Sequence, residues 1–246
     1  MSSPVCIHHD DHPAIARCSE CGGDICGQCH GTDLRGLALC APCRAKRNPY
    51  TAIAWEHVPG PSLRGFFSTV LAVLFSPRSF FLRMNPLAPR WAPAASFGIL
   101  AIALGTLFQT LWQKAFSPEY AEAIQRYTEE LGTSTTMAEF AVFASIPFGS
   151  IALYFLHTAM LFFALRIFGI EDASWSLVAR IAGYSLAAYL LLIFPPLGTF
   201  SLGHFLMVVW LFNLEVSAVR WFFRLGPWRS MGVVLLPLML FLFATS

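Results

Sequence analysis

The cysteines of this chain have the most distinctive chemistry in its sequence. All seven lie between Cys6 and Cys43. With one histidine they form four pairs, each with two residues between its members: Cys6 and His9, Cys18 and Cys21, Cys26 and Cys29, Cys40 and Cys43. A two-residue gap lets one tight turn point two ligand atoms at the same ion, and two such pairs complete a tetrahedron around zinc. Eight ligands therefore predict two Zn²⁺ ions.

Zinc explains these thiols better than disulfides do. The first 45 residues contain charges and ligand candidates where a secretory signal peptide would have its apolar region. We therefore expect this region to stay in the cytosol, where thiols are kept reduced. Seven cysteines, an odd number, also cannot all pair within one chain.

The gaps between successive pairs predict which pairs share an ion. They are eight, four and ten residues long, and the four-residue gap between Cys21 and Cys26 is too short for those two pairs to fold onto one ion easily. An interleaved arrangement is favoured, with ligand sets Cys6, His9, Cys26, Cys29 and Cys18, Cys21, Cys40, Cys43. His8 and His12 lie close enough to replace His9. Because protein ligands can fill every position, we interpret both ions as structural rather than catalytic.

The cysteine-rich segment resembles a known family. The run from Cys6 through HPAIARCSECGGDICGQC to LCAPC is similar to a B-box-type zinc finger, in the form that bacteria place before membrane domains. The resemblance implies a cross-braced fold with two zinc ions. A domain this small cannot bury enough apolar surface to fold alone. Zinc must therefore supply the missing stability, on the order of 10–16 kcal/mol per structural site near neutral pH.

The composition of the remaining chain is that of an integral membrane protein. Hydrophobic residues make up 56% and charged residues 12% of the sequence, and the charged fraction is about half of that in soluble domains. The apolar residues are concentrated after Arg90, whereas residues 1–60 are polar. The net charge is +2 and no run of lysine and arginine is present, so the sequence predicts no nucleic-acid partner.

We predict an all-α polytopic membrane helical bundle behind a small amino-terminal two-zinc finger. The predicted domains are the finger at 1–45, a flexible, mildly basic linker at 46–63, an interfacial amphipathic helix at 64–84 and a membrane domain at 85–246. We count about five apolar stretches as spans. The first four approach or exceed the length that crosses a bilayer, and the fifth is shorter than that. They are approximately 91–112, 140–165, 177–194, 200–218 and 231–244.

The segment at 64–84 is too short in its apolar part to be a span. That part runs from Gly65 to Phe75 and is bracketed by Arg64, Arg78 and Arg83. It is about half of the length needed to cross the membrane. The pattern suits a helix that lies among the lipid headgroups. The alternative is a helix that packs against the cytosolic side of the bundle.

The distribution of lysine and arginine predicts the orientation. In a five-span arrangement, fourteen of the sixteen basic residues fall on one side. Only Lys114 and Arg126 fall on the other, in a loop that also holds Glu119, Glu122, Glu129, Glu130 and Glu139. We therefore expect a cytoplasmic amino terminus and an extracytoplasmic carboxy terminus, in a bacterial inner membrane.

The membrane half resembles a second family. The stretch RIAGYSLAAYLLLIFPPLGTFSLGHFLMVVWLFNLEVSAV, Arg180 to Val219, is similar to the third and fourth spans of Yip-domain (Ypt-interacting protein) membrane proteins. The matching features are Tyr184-Ser185, the Pro-x-x-Gly break from Pro195 to Gly198, and the upstream segment VLFSPRSFF. The fourth span departs from the family pattern at Asn213-Leu214-Glu215. The resemblance implies a role in membrane organisation or trafficking, with eukaryotic members that bind small GTPases.

Three polar side chains within the predicted spans are candidate functional residues, because such groups are costly to bury in lipid. His157 falls near the middle of the second span, and we interpret it as hydrogen-bonded to a neighbouring helix rather than as part of a proton or metal path. Arg180 and Glu215 fall toward the cytosolic ends of adjacent spans, and we predict an ion pair between them. The small-residue spacings Ala101-x3-Gly105 and Gly183-x3-Ala187 permit close helix approach.

No nucleophile–base pairing, P-loop or dinucleotide fingerprint occurs in the sequence, so we do not expect an enzyme. The favoured interpretation is a non-catalytic membrane protein whose cytosolic finger binds a protein, in a scaffold role. The alternatives are a transporter or channel regulated by the finger, and a thiol or metal sensor. The predicted partners are the lipid bilayer and a cytosolic or membrane protein. A homo-oligomer stays open.

Overall fold

The computed structural model describes residues 4–27, 29–32, 37–40, 42–43, 53–57, 62–86, 88–171, 173–197 and 200–245. The chain divides into two compact units, Met1–Thr51 and Ala52–Ser246. The first is a small, cysteine-rich β module and the second is a helical bundle. Most of the predicted linker, including Lys46 and Pro59, lies outside the described residues.

The first unit contains three two-stranded antiparallel sheets. Strand β1 (Val5–Cys6) pairs with β2 (His9–Pro13), β3 (Ala16–Arg17) with β4 (Asp24–Ile25), and β5 (Gly31–Thr32) with β6 (Ala38–Leu39). Hairpins this short are not stable on their own. The core consists of two aliphatic side chains, Ile25 and Leu39, and of the buried cysteines, so the metal-ligand candidates are themselves most of the interior.

Two glycines shape the turn that follows the second ligand pair. Gly22 has a φ of +69°, a left-handed conformation that glycine adopts without strain. Its N–H donates to the carbonyl of Cys18 at 2.9 Å. Gly23 is required for a different reason: a Cβ at this position would collide with the side chain of Ile7.

The second unit is all-helical. Its elements are α1 (Ala54–His57), α2 (Leu63–Phe75), α3 (Pro77–Arg83), α4 (Ala92–Phe116), α5 (Pro118–Leu131), α6 (Thr135–Ile167), α7 (Trp175–Ser185), the 3₁₀ helix η1 (Leu186–Ile193), α8 (Leu202–Phe223) and α9 (Pro227–Thr245). Among the described residues, four helices are long and apolar enough to cross a membrane, or five if α2 and α3 count as one bent span. The predicted fold class, a polytopic helical bundle with a small zinc-finger-like module, is confirmed. The last predicted span, 231–244, lies within α9.

Serine residues start most of the long helices. In each case the serine side chain accepts a hydrogen bond from a backbone N–H three residues later, which satisfies a donor that the first helical turn leaves free. The caps are Ser62, Ser117, Ser134, Ser174 and Ser201. These five positions fix where the chain passes from loop to helix.

The helix formed by α7 and η1, here called the central helix, is the middle of the bundle. Of the residues in its most apolar 18-residue stretch, 78% are buried, against 39–44% in the other three candidate spans. It packs against α4, α6 and α8. Its 11 α-helical and 8 3₁₀ residues extend over about 32 Å at rises of 1.5 and 2.0 Å per residue. That length matches the roughly 30 Å hydrocarbon core of a bilayer.

Glycines bring the backbone of α4 into contact with the central helix. A Cβ on Gly98 would lie 2.7 Å from the carbonyl oxygen of Gly183. A Cβ on Gly183 would clash with the carbonyl of Ala94, and one on Gly105 with the carbonyl of Tyr189. The two helices therefore meet at backbone distance along about two turns, and Gly105 and Gly183 belong to the small-residue spacings noted in the sequence.

Contacts between helix ends and loops divide the bundle into two ends. The end at which α4 begins is called the near end, and the end at which α4 finishes is called the far end. At the near end, Trp55 Nε1 donates to the carbonyl of Pro93 at 2.7 Å, Ser176 Oγ donates to that of Ala88 at 3.1 Å, and Arg229 donates to that of Phe168. At the far end, Trp112 Nε1 donates to Ile193 O at 3.0 Å, and Lys114 pairs with Glu139 at 2.7 Å. Successive spans therefore run in alternate directions.

The segment predicted as one helix at 64–84 is broken in two. Helices α2 and α3 meet at an angle of 118°. The cause is Pro77, the first residue of α3, because proline restricts the preceding residue; Ser76 has φ −141° and ψ 51°. One face of α2 is buried, and the opposite face exposes Leu63, Phe67, Leu71 and Phe75. This segment thus packs against the bundle and also presents apolar side chains outward.

Two other helices were missing from the sequence prediction. Residues 53–57, inside the predicted linker, include α1 and join the core of the second unit through Ile53. Helix α5 occupies the far-end loop, and only Ile124 of it is buried. Its signals are present in the sequence: Ser117 as cap, Pro118 at the first position, and Gly132 with φ +61° at the end.

Replacing Gly183 by alanine should destabilise the bundle. The added methyl group would press on the carbonyl of Ala94, and such overpacking costs about 1–3 kcal/mol. The matched control is Gly149→Ala on α6, where the methyl group meets no atom within 4 Å; alanine there should gain up to about 1 kcal/mol through helix propensity. Thermal unfolding of both variants in detergent measures the difference. Equal melting temperatures would show that α4 and the central helix are not in backbone contact.

Candidate functional site

The first group of candidate metal ligands joins Cys6, His9, Cys26 and Cys29, whose ligand atoms all lie within 4.8 Å of one another. The Nδ1 atom of His9 lies 3.3 Å from the Sγ of Cys29, 3.5 Å from that of Cys26 and 4.0 Å from that of Cys6. The first and third pairs of the sequence thus come together. The pair formed by Cys6 and His9 lies at the turn of the β1–β2 hairpin.

The second group joins Cys18, Cys21, Cys40 and Cys43 within the same limit. The Sγ atoms of Cys21 and Cys40 are 3.8 Å apart. The N–H of Cys40 donates to the Sγ of Cys18 at 3.3 Å, and the N–H of Ser19 donates to the carbonyl of Ala38 at 2.8 Å. The second hairpin is thereby tied to the third one, and the second and fourth pairs share a site.

Both groups fit zinc by donor type and by spacing. Zinc binds sulfur at about 2.3 Å and nitrogen at about 2.0 Å, so a tetrahedron has edges of about 3.8 Å between sulfurs and about 3.5 Å between nitrogen and sulfur. The observed separations of 3.8 Å (Cys21 to Cys40) and 3.5 Å (His9 to Cys26) match these edges. Each group supplies four protein ligands, so a bound ion would have no open coordination position.

The three histidines near Cys6 differ in their position relative to the first group. His9 contributes Nδ1 to the first group, and among the described residues neither His8 nor His12 belongs to a ligand group. The His12 ring stands edge-on to the His9 ring with centroids 5.5 Å apart. His12 therefore lies in a position to orient the ligand ring rather than to replace it.

Hydrogen bonds within the groups favour thiolates at two positions. Burial raises the pKa of Cys6, but the backbone hydrogen bonds of His8 and Cys26 outweigh it and lower that pKa to about 6. For Cys18, burial is likewise outweighed by the backbone hydrogen bonds of Cys21 and Cys40, and its pKa is also lowered to about 6. Burial, reinforced by the hydrogen bond with Cys6, raises the pKa of Cys29 to about 11. The shifts favour a thiolate at Cys6 and a thiol at Cys29 in the first group, and metal binding would release the remaining protons.

Purified full-length protein should contain about two zinc equivalents per chain, and loss of a ligand should remove at least one of them. His9→Ala deletes a member of the first group, whereas His8→Ala and His12→Ala leave both groups complete. Elemental analysis of the three variants measures the zinc content. Retention of two equivalents in His9→Ala, with loss in His12→Ala, would assign the ligand to the other histidine.

The predicted ion pair between Arg180 and Glu215 is wrong. Arg180 Nη2 lies 2.9 Å from Glu56 Oε1, and its Nη1 donates to the carbonyl of Asn85. The hydroxyl of Tyr184 donates to the same Glu56 oxygen at 2.8 Å. Because Arg180 is only 1% exposed, Glu56 and Asn85 are what permit its burial.

Glu215 pairs instead with His157. Its Oε1 lies 2.6 Å from His157 Nε2, and both side chains are at most 1% exposed. The difference from the prediction is one of depth. Glu215 lies eight residues from the end of α8 and His157 ten from the end of α6, or about 12 and 15 Å, whereas Arg180 lies about 8 Å inside α7. By this measure Glu215 lies between the other two residues and slightly nearer to the depth of His157.

Removal of one partner of the His157–Glu215 pair should destabilise the bundle more than removal of both. The variant His157→Leu leaves a buried carboxylate without its partner, which typically costs about 3–5 kcal/mol, whereas an apolar pair of similar volume can be neutral or stabilising. Thermal unfolding of His157→Leu, Glu215→Leu and the double variant forms the test. Additive losses in the double variant would mean that the two side chains do not interact.

Comparison with known families links this bundle to one of them. The family model described as Yip1 domain matches residues 71–246, from within α2 to the end of the chain. The searches of curated proteins and of solved structures returned no match. The family match covers the bundle and leaves the cysteine-rich module outside it.

Proposed function

Because the chain belongs to the Yip1 domain family, we propose that it is a non-catalytic protein of a bacterial inner membrane that carries a B-box-type zinc finger in the cytosol. The finger would bind a protein partner, and the bundle would hold that partner at the membrane. The observation that carries this proposal is the pair of ligand groups, each complete with four protein ligands. A catalytic zinc keeps a position for water or substrate, and these groups leave none.

The charge distribution over the two ends of the bundle supports the orientation. The near end carries arginines in the loops and helix ends around Arg90, Arg166, Arg220, Arg224 and Arg229. The far end has Lys114 and Arg126 against five glutamates in the same loop region. Basic residues stay preferentially on the cytosolic side. In this proposal the near end therefore faces the cytosol. The amino-terminal thiols also favour the cytosol, because they require a reducing compartment.

The surface of the finger supports a protein partner. Val5, Ile7 and Ile15 are 52%, 50% and 66% exposed, although they belong to a module with few apolar residues to spare. Ile15 donates its N–H to the carbonyl of Ile25 at 2.9 Å, and Ile7 donates its N–H to that of Asp24 at 2.9 Å. The backbones of both residues are thus fixed to the strand β4, so their side chains are presented by a rigid frame.

Photo-crosslinking in living cells tests the docking role. A crosslinking amino acid at Ile15 of the full-length protein should give a discrete protein adduct, because an exposed apolar side chain on a rigid module is the expected contact. The same amino acid at Asp11, an exposed polar position of the same module, is the matched control. Adducts should vanish when Cys18→Ser and Cys40→Ser disrupt the second ligand group.

Two outcomes would contradict the proposal. Equal adduct patterns at both positions, unchanged by the cysteine substitutions, would indicate random collision rather than docking. A reporter that is active only in the cytosol, fused to the amino terminus, should be active. Its inactivity, with activity of the same reporter at the carboxy terminus, would reverse the orientation.

A further inference from the structure

A cavity of about 480 Å³ opens at the near end of the bundle, between α3 and the end of α8. Three arginines line it, one from α3 and two from the end of α8: Arg78, Arg220 and Arg224. The side chains of Phe81, Ser217 and Trp221 also line the cavity. The wall is held in place by the packing of Phe81 against Phe222, with ring centroids 6.5 Å apart.

The charge of this cavity is uncompensated. No carboxylate lines it, and within the described ranges none of its three arginines takes part in an ion pair. Other arginines at the same end are occupied by the protein itself. Arg180 binds Glu56, Arg166 donates to the carbonyl of Ala173 at 3.2 Å, and Arg229 donates to that of Phe168. The guanidinium groups of Arg166, Arg180 and Arg229 are thus bound by the protein itself, whereas those that line the cavity remain for a ligand.

The backbone at Arg224 adds an independent observation. Arg224 follows the last residue of α8 with φ 52° and ψ 36°. Among the described residues it is the single non-glycine with a positive φ. Glycine normally occupies this position because a Cβ is strained there. An arginine at this strained position is therefore a candidate for a functional role.

The chemistry and location of the cavity identify the ligand class. Guanidinium groups match the geometry and charge of phosphate oxygens. The cavity lies at the ends of spans, where Trp221, 39% exposed, has the position of an interfacial aromatic residue. Basic pockets between membrane helices bind anionic lipid headgroups. We propose that this cavity binds the phosphate group of an anionic phospholipid.

Binding can be separated from folding by a variant that relieves the strained backbone. Arg224→Gly removes a guanidinium group and restores the residue that the left-handed conformation favours. Combined with Arg220→Gln, it should leave the protein folded and reduce the affinity for phosphatidylglycerol at least tenfold, because two of three cationic groups are lost. The control is Arg83→Gln with Arg90→Gln, which removes the same charge from exposed positions outside the cavity, and it should change the affinity less than twofold.

The measurement is native mass spectrometry of the full-length protein in detergent, titrated with phosphatidylglycerol and, in parallel, with phosphatidylcholine. Phosphatidylglycerol should bind the wild-type protein and phosphatidylcholine should not. Inorganic phosphate and glycerol 3-phosphate should fail to displace the lipid at millimolar concentration. Displacement by either would assign the cavity to a soluble phosphate compound and overturn the lipid assignment. Equal losses in the cavity and control variants would reduce the effect to general surface charge and overturn the site itself.

Discussion

The backbone contact between α4 and the central helix is the constraint on which the rest of the bundle depends. In lipid, helices gain little from hydrophobic burial against one another, so close packing must supply the attraction. Gly98, Gly105 and Gly183 allow that packing by removing the atoms that would separate the two helices. The central helix is then enclosed on its other sides by α6 and α8. Its high burial follows from this arrangement.

Two polar pairs within the helical unit fix the register of the helices, which close packing alone leaves free. Backbone contact sets the distance between helices, but apolar surfaces permit rotation and sliding. Arg180 and Glu56 connect the central helix to the segment before the bundle, near one end. His157 and Glu215 connect α6 to α8 at a greater depth. Because an unpaired polar group in this environment is costly, each pair favours one register over its neighbours. The two pairs therefore define the arrangement of spans that the apolar surfaces only permit.

Sequence reasoning succeeded where the signal was local and failed where it depended on depth. The spacing of the ligand pairs was sufficient to group Cys6, His9, Cys26 and Cys29, because short gaps leave few ways to surround an ion. The break at Pro77 also has a local cause, since proline acts on the residue before it, but the prediction of one helix at 64–84 missed it. The partner of Arg180 could not be predicted from local signals. The identity of this partner depends on how far each side chain lies from its helix end. It also depends on Glu56, which lies in a segment that the composition predicted to be a linker. No periodicity in α7 or α8 indicates that Glu56 lies nearby.

The two units form their interiors from different side chains. A module of this size has too few apolar residues for a core, and its cysteines take that place, with Ile25 and Leu39 as the aliphatic remainder. Once the interior is filled by ligands, further aliphatic side chains have no interior to enter. Ile7 and Ile15 therefore remain outside, in turn and loop positions whose backbone N–H groups donate to the carbonyls of β4. In a bundle surrounded by lipid, outward apolar side chains are solvated by the bilayer, whereas those of the cysteine-rich module have no such solvent in the proposed orientation. Their exposure is therefore the cost that the proposed protein partner would remove.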